Sequence, residues 1–161
     1  MNEWITVGIS DVKIAEAPGG LVTYALGSCI GICLYDSVLK VGGLAHIMLP
    51  NHPQGGTGGQ VLRYADSCLP FMVQNMEKLG CARSRLQAKI AGGAKMFEIV
   101  DDNAFGNIGA RNIAAVKETL AALRIRLLAE DTGLNYGRTV YFSTETGVMV
   151  VKSFAKGVHS F

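Results

Sequence analysis

Thiols and imidazoles are the side chains with the widest chemical reach, and this sequence holds four cysteines and three histidines in 161 residues. One pair stands out by position. Cys29 follows Gly27-Ser28, a break between two apolar runs where the chain turns and backbone N–H groups fall outside any ladder. His46 sits inside Leu44-Ala45-His46-Ile47-Met48-Leu49, a stretch apolar on both faces and therefore a central, buried strand. A buried imidazole needs hydrogen-bond partners, or its burial costs about 1–3 kcal/mol. If residues 29–36 and 40–47 form a hairpin, its centre falls between Ser37 and Val38. Cys29 then lies opposite His46, with β-carbons roughly 4.5–5.5 Å apart. A slip of one residue would put the two on opposite faces.

A free thiol has a pKa of about 8.5, and a neighbouring imidazolium lowers it by up to several units. The thiolate is a nucleophile, and the imidazolium later protonates a leaving group. A third residue must hold the ring. Thr23 is the candidate, two residues before Ala25 on the preceding strand and on a consistent face. Each residue also has a plain structural reading. Cys29 in an apolar run reads as a small core hydrophobe, His46 as a satisfied core histidine, and Thr23 as an ordinary strand threonine. On residue types and spacing alone, both readings stand.

The remaining candidates are weaker. Cys33 shares a strand face with Cys29 and reads as core, and Cys68 belongs to an apolar helix face. Cys81 follows a helix end and is expected nearer the surface, with no local cation to activate it. His52 lies in a glycine-rich loop where a solvated role is expected, and His159 lies in a tail. Gly55-Gly56-Thr57-Gly58-Gly59 and Gly92-Gly93-Ala94-Lys95 both lack the Gly-Lys-Ser/Thr ending of a P-loop, which argues against a nucleotide site. No carboxylate pair, CxxC pair or zinc spacing appears, so no metal site is expected.

The elements that must position Cys29 and His46 follow from periodicity. Strands are expected over residues 4–14, 21–26, 29–35, 41–49, 86–91, 126–129, 139–143 and 147–151. Helices are expected over 60–79, kinked at Pro70, and over 112–123. Residues 51–59 form a flexible loop, and Thr144-Glu145-Thr146-Gly147 a hairpin turn. Four strands in succession without an intervening helix exclude a simple alternating parallel sheet. The expectation is a mixed α/β fold with two main helices over β-rich layers.

The length suits one domain over residues 1–161. Charged residues are 17% and apolar residues 49%, which excludes a charge-driven disordered chain. A net charge of +2 makes no case for a nucleic-acid partner. No run of 18 apolar residues and no signal-peptide pattern occurs, so a cytoplasmic protein with free thiols and no membrane insertion is expected.

Thr23-Tyr24-Ala25-Leu26-Gly27-Ser28-Cys29, followed by Gly42-Gly43-Leu44-Ala45-His46-Ile47-Met48-Leu49-Pro50, resembles the CheD family of chemoreceptor glutamine deamidases. The resemblance continues through Ala91-Gly92-Gly93-Ala94-Lys95-Met96-Phe97, Ile108-Gly109-Ala110-Arg111-Asn112 and Asn135-Tyr136-Gly137-Arg138-Thr139, and ends near Thr144-Glu145-Thr146-Gly147. It therefore spans nearly the whole chain. The family pattern of a nucleophilic Cys in Leu-Gly-Ser-Cys, a later His and an earlier Thr falls on Cys29, His46 and Thr23 without a gap. The resemblance implies a layered β-sheet sandwich with two main helices, like the catalytic fold of deamidating toxins. It implies hydrolysis of receptor glutamine side chains to glutamate with release of ammonia, through a Cys29 thioester. Backbone N–H groups around Gly27 and Ser28 would steady the oxyanion, and no cofactor is needed. Implied partners are the helical cytoplasmic domains of chemoreceptors and a CheC-type phosphatase. A regulatory module that mainly docks the phosphatase is the alternative.

Overall fold

The computed structural model describes residues 3–96 and 107–161. Phe97, the last residue of the Ala91-to-Phe97 motif, lies outside them. Ten strands and two α-helices are present among the described residues: β1 Ile5–Thr6, β2 Asp11–Glu16, β3 Gly20–Leu26, β4 Ile30–Asp36, β5 Val41–Ile47, α1 Ala65–Lys78, β6 Leu86–Gly92, α2 Ile108–Ala122, β7 Arg126–Thr132, β8 Arg138–Ser143, β9 Met149–Ser153 and β10 Gly157–Ser160. One sheet runs β1-β3-β8-β9-β10, the other β2-β5-β4-β6-β7. Pairing is antiparallel except for β1 with β3 and β6 with β7, so both sheets are mixed.

The layers follow from which side chains each face buries. Leu21, Leu26, Val140, Phe142, Met149 and Val151 of the first sheet meet Cys33, Tyr35, Leu44 and Ala91 of the second. The other face of the second sheet, with Ile30, Ile32, Leu34, Ala45, Ile47 and Ile90, packs on Cys68, Leu69, Met72, Val73 and Met76 of α1 and Ala115, Val116 and Leu120 of α2. The order is sheet, sheet, helices. β4 and β5 are buried along their whole length, which is why they read as unbroken apolar runs. This is the layered α/β arrangement expected from the sequence.

Four expectations are corrected in detail. The run at 4–14 is two strands in different sheets, broken at Ser10, whose φ is 58°. The long helix from residue 60 is a 3-10 turn over Val61–Arg63 and a separate α1. Tyr64 between them is extended because the Arg63 carbonyl accepts from the Met48 and Leu49 N–H groups and Ala65 N–H donates to Leu49 O. The 3.6-residue period ran through the break because both pieces pack on the same core. The tail that carries His159 is strand β10, paired with β9 from Gly157 to Ser160.

The hairpin of β4 and β5 differs by one residue at its centre. Asp36 accepts hydrogen bonds from Val38 N–H at 3.0 Å and Leu39 N–H at 3.2 Å. Lys40 then takes a left-handed φ of 54°. The turn so formed pairs Asp36 with Val41, and therefore Gly31, not Cys29, with His46.

Candidate active site

The displacement of Cys29 by two residues from the expected register preserves its face, because the side-chain period of a strand is two. Cys29 becomes a diagonal neighbour of His46, just before β4 begins. The residue directly opposite His46 is Gly31, whose missing Cβ would meet Leu26 Cδ1 at 3.1 Å and Thr23 Cγ2 at 3.5 Å. Glycine there lets Leu26 and Thr23 of β3 close over the strand.

Thr23 comes from the other sheet. Its expected alternation with Ala25 fails, since Ala25 has φ 59° and is exposed within a bulge between Thr23 and Leu26. The extra residue lets Thr23 and Leu26 both point inward while Tyr24 and Ala25 face out. Thr23 is fully buried, and its Oγ1 lies 2.7 Å from His46 Nδ1 and 2.8 Å from the Val7 carbonyl.

These two contacts settle the tautomer of the imidazole. A carbonyl only accepts, so the single hydroxyl proton of Thr23 goes to Val7 O. The hydroxyl oxygen must then accept from His46, which places the ring proton on Nδ1. Nε2 is left with its lone pair, buried and without a partner. Val7 was not singled out from the sequence. A backbone carbonyl carries no residue-type signal, and only the pairing of Ile5 and Thr6 with β3 brings it here.

His46 is 1% exposed. Burial alone holds its pKa down at about 4, because the charged ring would lose its hydration. Burial also pushes the Cys29 thiol above its ordinary value, opposed by its own backbone N–H beside the sulfur. Both shifts favour the neutral thiol and the neutral imidazole over the thiolate–imidazolium pair expected from the residue types.

Gly27 and Ser28 stand where the sequence placed them, in the turn between β3 and β4. The Gly27, Ser28 and Cys29 carbonyls each accept one hydrogen bond at 2.9 Å: from Ala94 N–H, from Asn112 Nδ2 and from Gly93 N–H. Asn112 has no reactive group to mark it within the amphipathic pattern of α2. Its place four residues before Val116, on the buried face with Leu120, was the available signal.

The other candidates lie apart from this cluster. Cys33 and Cys68 are buried core residues, as expected; burial pushes both thiols up, Cys68 to about 12. Cys81 is also buried, not surface-near, because its N–H returns to Met76 O and folds it under the end of α1. His52 is buried in its loop rather than solvated. Its Nδ1 accepts from Gln54 N–H at 3.0 Å, so Nε2–H donates to Gly59 O at 2.9 Å, and the ring pins residues 52–59. His159 is exposed on β10, its Nε2 2.7 Å from Lys156 O.

The fold is that of a layered two-sheet α/β protein in which a buried hydroxyl holds an imidazole and a thiol stands diagonally across from it. The family model for CheD chemotactic sensory transduction matches residues 48–153. A protein of Syntrophomonas wolfei named "Probable chemoreceptor glutamine deamidase CheD" is 50% identical over 157 residues, covering 98% of each chain. One of the same name from Clostridium novyi is 45% identical over 156 residues, covering 97% of this chain and 96% of that one. The chain belongs to the CheD family. In fold it also resembles the crystal structure of a Neisseria meningitidis protein of family DUF152, with a TM-score of 0.54 at 10% identity. That match covers 81% of this chain but only 64% of the other, so this chain spans less than two thirds of its length.

Proposed function

We propose that this chain is a chemoreceptor glutamine deamidase in which Cys29 is the nucleophile, His46 the general base and acid, and Thr23 the residue that orients the imidazole. The observation that carries the assignment is the chain Val7 O, Thr23 Oγ1, His46 Nδ1, at 2.8 and 2.7 Å, which leaves Nε2 as the free acceptor. Membership of the family, with relatives named as glutamine deamidases, supplies the substrate.

The steps follow from that tautomer. The Cys29 proton moves to His46 Nε2 while a Sγ–carbon bond forms at the glutamine amide, and the carbonyl π pair moves onto oxygen. The resulting imidazolium is buried and strongly acidic. It gives its proton to the departing nitrogen as the tetrahedral centre collapses to a thioester, releasing ammonia. Water then enters. His46 takes one of its protons, the oxygen adds to the thioester, and the thiolate leaves and is reprotonated from His46. The Gly27–Ser28 and Ser28–Cys29 peptides supply N–H groups for the oxyanion, a contribution of about 3–4 kcal/mol for a well-placed donor.

On this reading the substrates are the helical cytoplasmic domains of chemoreceptors, the protein works in the cytoplasm, and a CheC-type phosphatase is a second partner. Peptide mass spectrometry of a receptor cytoplasmic domain, incubated with and without the protein, tests the activity. Conversion of specific glutamines to glutamate is expected, and an unchanged receptor peptide map across a panel of receptor domains would contradict it.

A further inference from the structure

Asn112 is fully buried, the one polar side chain on the inner face of α2 beside Gly109, Ala115, Val116 and Leu120. Its Nδ2 donates to Ser28 O at 2.9 Å and to Met48 O at 2.9 Å. Ser28 immediately precedes Cys29, and Met48 lies two residues beyond His46. The opposite flip of the amide would set its oxygen against two carbonyls, so the orientation is fixed by its partners. Oδ1 is buried with no partner among the described residues. As packing alone, an amide with an orphaned acceptor is a poor choice for an apolar face.

A trans peptide holds its C=O and N–H antiparallel. Pulling the Ser28 carbonyl toward α2 therefore turns the Cys29 N–H the other way. That N–H indeed lies beside its own sulfur, where it lowers the thiol pKa. The neighbouring Gly27 carbonyl is held likewise by Ala94 N–H, but that bond is backbone to backbone. The Ser28–Cys29 peptide alone depends on a side chain. The second bond, to Met48 O, uses the other amide proton and fixes the plane of the amide itself. The start of α2 is seated close: a Cβ on Gly109 would stand 2.5 Å from Gly93 O and 2.6 Å from Ala94 O.

We propose that Asn112 is a positioning residue for the oxyanion site, holding the Ser28–Cys29 peptide so that its N–H faces the oxygen on which charge develops when Sγ adds to the amide carbon. This rests on Cys29 being the nucleophile. It predicts a defect confined to carbonyl addition, because alkylation of a thiol by iodoacetamide is a displacement at a methylene and forms no oxyanion.

The experiment uses Asn112→Asp, which keeps the shape but sets an acceptor against two carbonyls, and Asn112→Ser, which shortens the side chain. For each, kcat and KM for receptor deamidation and the limiting rate of Cys29 alkylation by iodoacetamide, on the alkaline plateau where the thiol is fully ionised whatever its pKa, are measured, with kcat expressed per alkylatable site. In either variant kcat is expected to fall about 100-fold, the typical loss for one oxyanion donor, with KM and the alkylation rate within about twofold of wild type. An unchanged kcat overturns the proposal. So does a parallel fall in kcat and alkylation, or failure of both variants to fold, since either makes Asn112 a support of the fold rather than of the peptide. Cys29→Ala in the same assay separates the two ideas: if it retains activity, the nucleophile is misassigned, whatever Asn112 does.

Discussion

At the scale of single residues, the site depends on where one proton sits. In the proposed mechanism His46 accepts from Cys29, and its Nε2 is free to do so only because Thr23 spends its own proton on Val7 O and so keeps the ring proton on Nδ1. Thr23→Val preserves the shape and removes the hydroxyl, leaving a buried Nδ1–H with nothing to hold it. Turnover should fall about 10–100-fold with KM little changed, and less than in His46→Ala. Steady-state kinetics of both variants checks this, and unchanged turnover in Thr23→Val would return the residue to strand packing. Cys29 is also the least buried of the four cysteines. A thiol reagent at neutral pH should label it first, and mass mapping that finds Cys81 labelled first would contradict the site as described. Residue types made Cys29 and His46 legible in the sequence. They did not reveal Val7, which acts through its backbone, or the protonation of the resting pair, which depends on how completely His46 loses water.

At the scale of elements, a turn, a bulge and a glycine bring Thr23 against His46 and set Cys29 diagonally across from His46 on the same face. Asp36 closes the turn between β4 and β5 and so sets their register. The bulge in β3 aims Thr23 inward, and Gly31 leaves the space that Leu26 and the Thr23 methyl fill. Gly31→Ala adds a Cβ 3.1 Å from Leu26 Cδ1, closer than ordinary contact. Leu26 must shift in a packed interior, so the variant should lose about 1–3 kcal/mol of stability. Urea unfolding measures it, and an unchanged midpoint would mean that the sheets have slack there. Most strands were legible, because β4 and β5 are apolar on both faces and β8 alternates. The two breaks, at Ser10 and Tyr64, were not. Each is produced by backbone hydrogen bonds to residues distant in sequence, Ser10 N–H to His46 O and Ala65 N–H to Leu49 O, while the apolar periodicity runs straight through.

At the scale of the whole molecule, the His46 imidazole is buried between two sheets, so its titration is coupled to folding. Its folded pKa of about 4 lies below the ordinary 6.5, so the unfolded chain binds the proton more tightly. The stabilisation is complete above the unfolded value and is lost as pH falls from there through the folded value. Its full size is about 3 kcal/mol. Unfolding free energies at pH 7 and pH 4.5 should therefore differ more in wild type than in His46→Gln, where nothing titrates at that position. Equal pH dependence in the two proteins would mean that His46 is hydrated in the folded state. The layer order itself was not legible from periodicity, since an apolar run does not say which layer covers it; the resemblance to CheD proteins supplied that expectation. The most direct test of Cys29 as the nucleophile is the rate of glutamine-to-glutamate conversion in a receptor domain by Cys29→Ala, beside Cys33→Ala and wild type at matched thermal stability. No conversion above background is expected of Cys29→Ala, and substantial activity of Cys33→Ala. Wild-type turnover by Cys29→Ala would contradict the assignment.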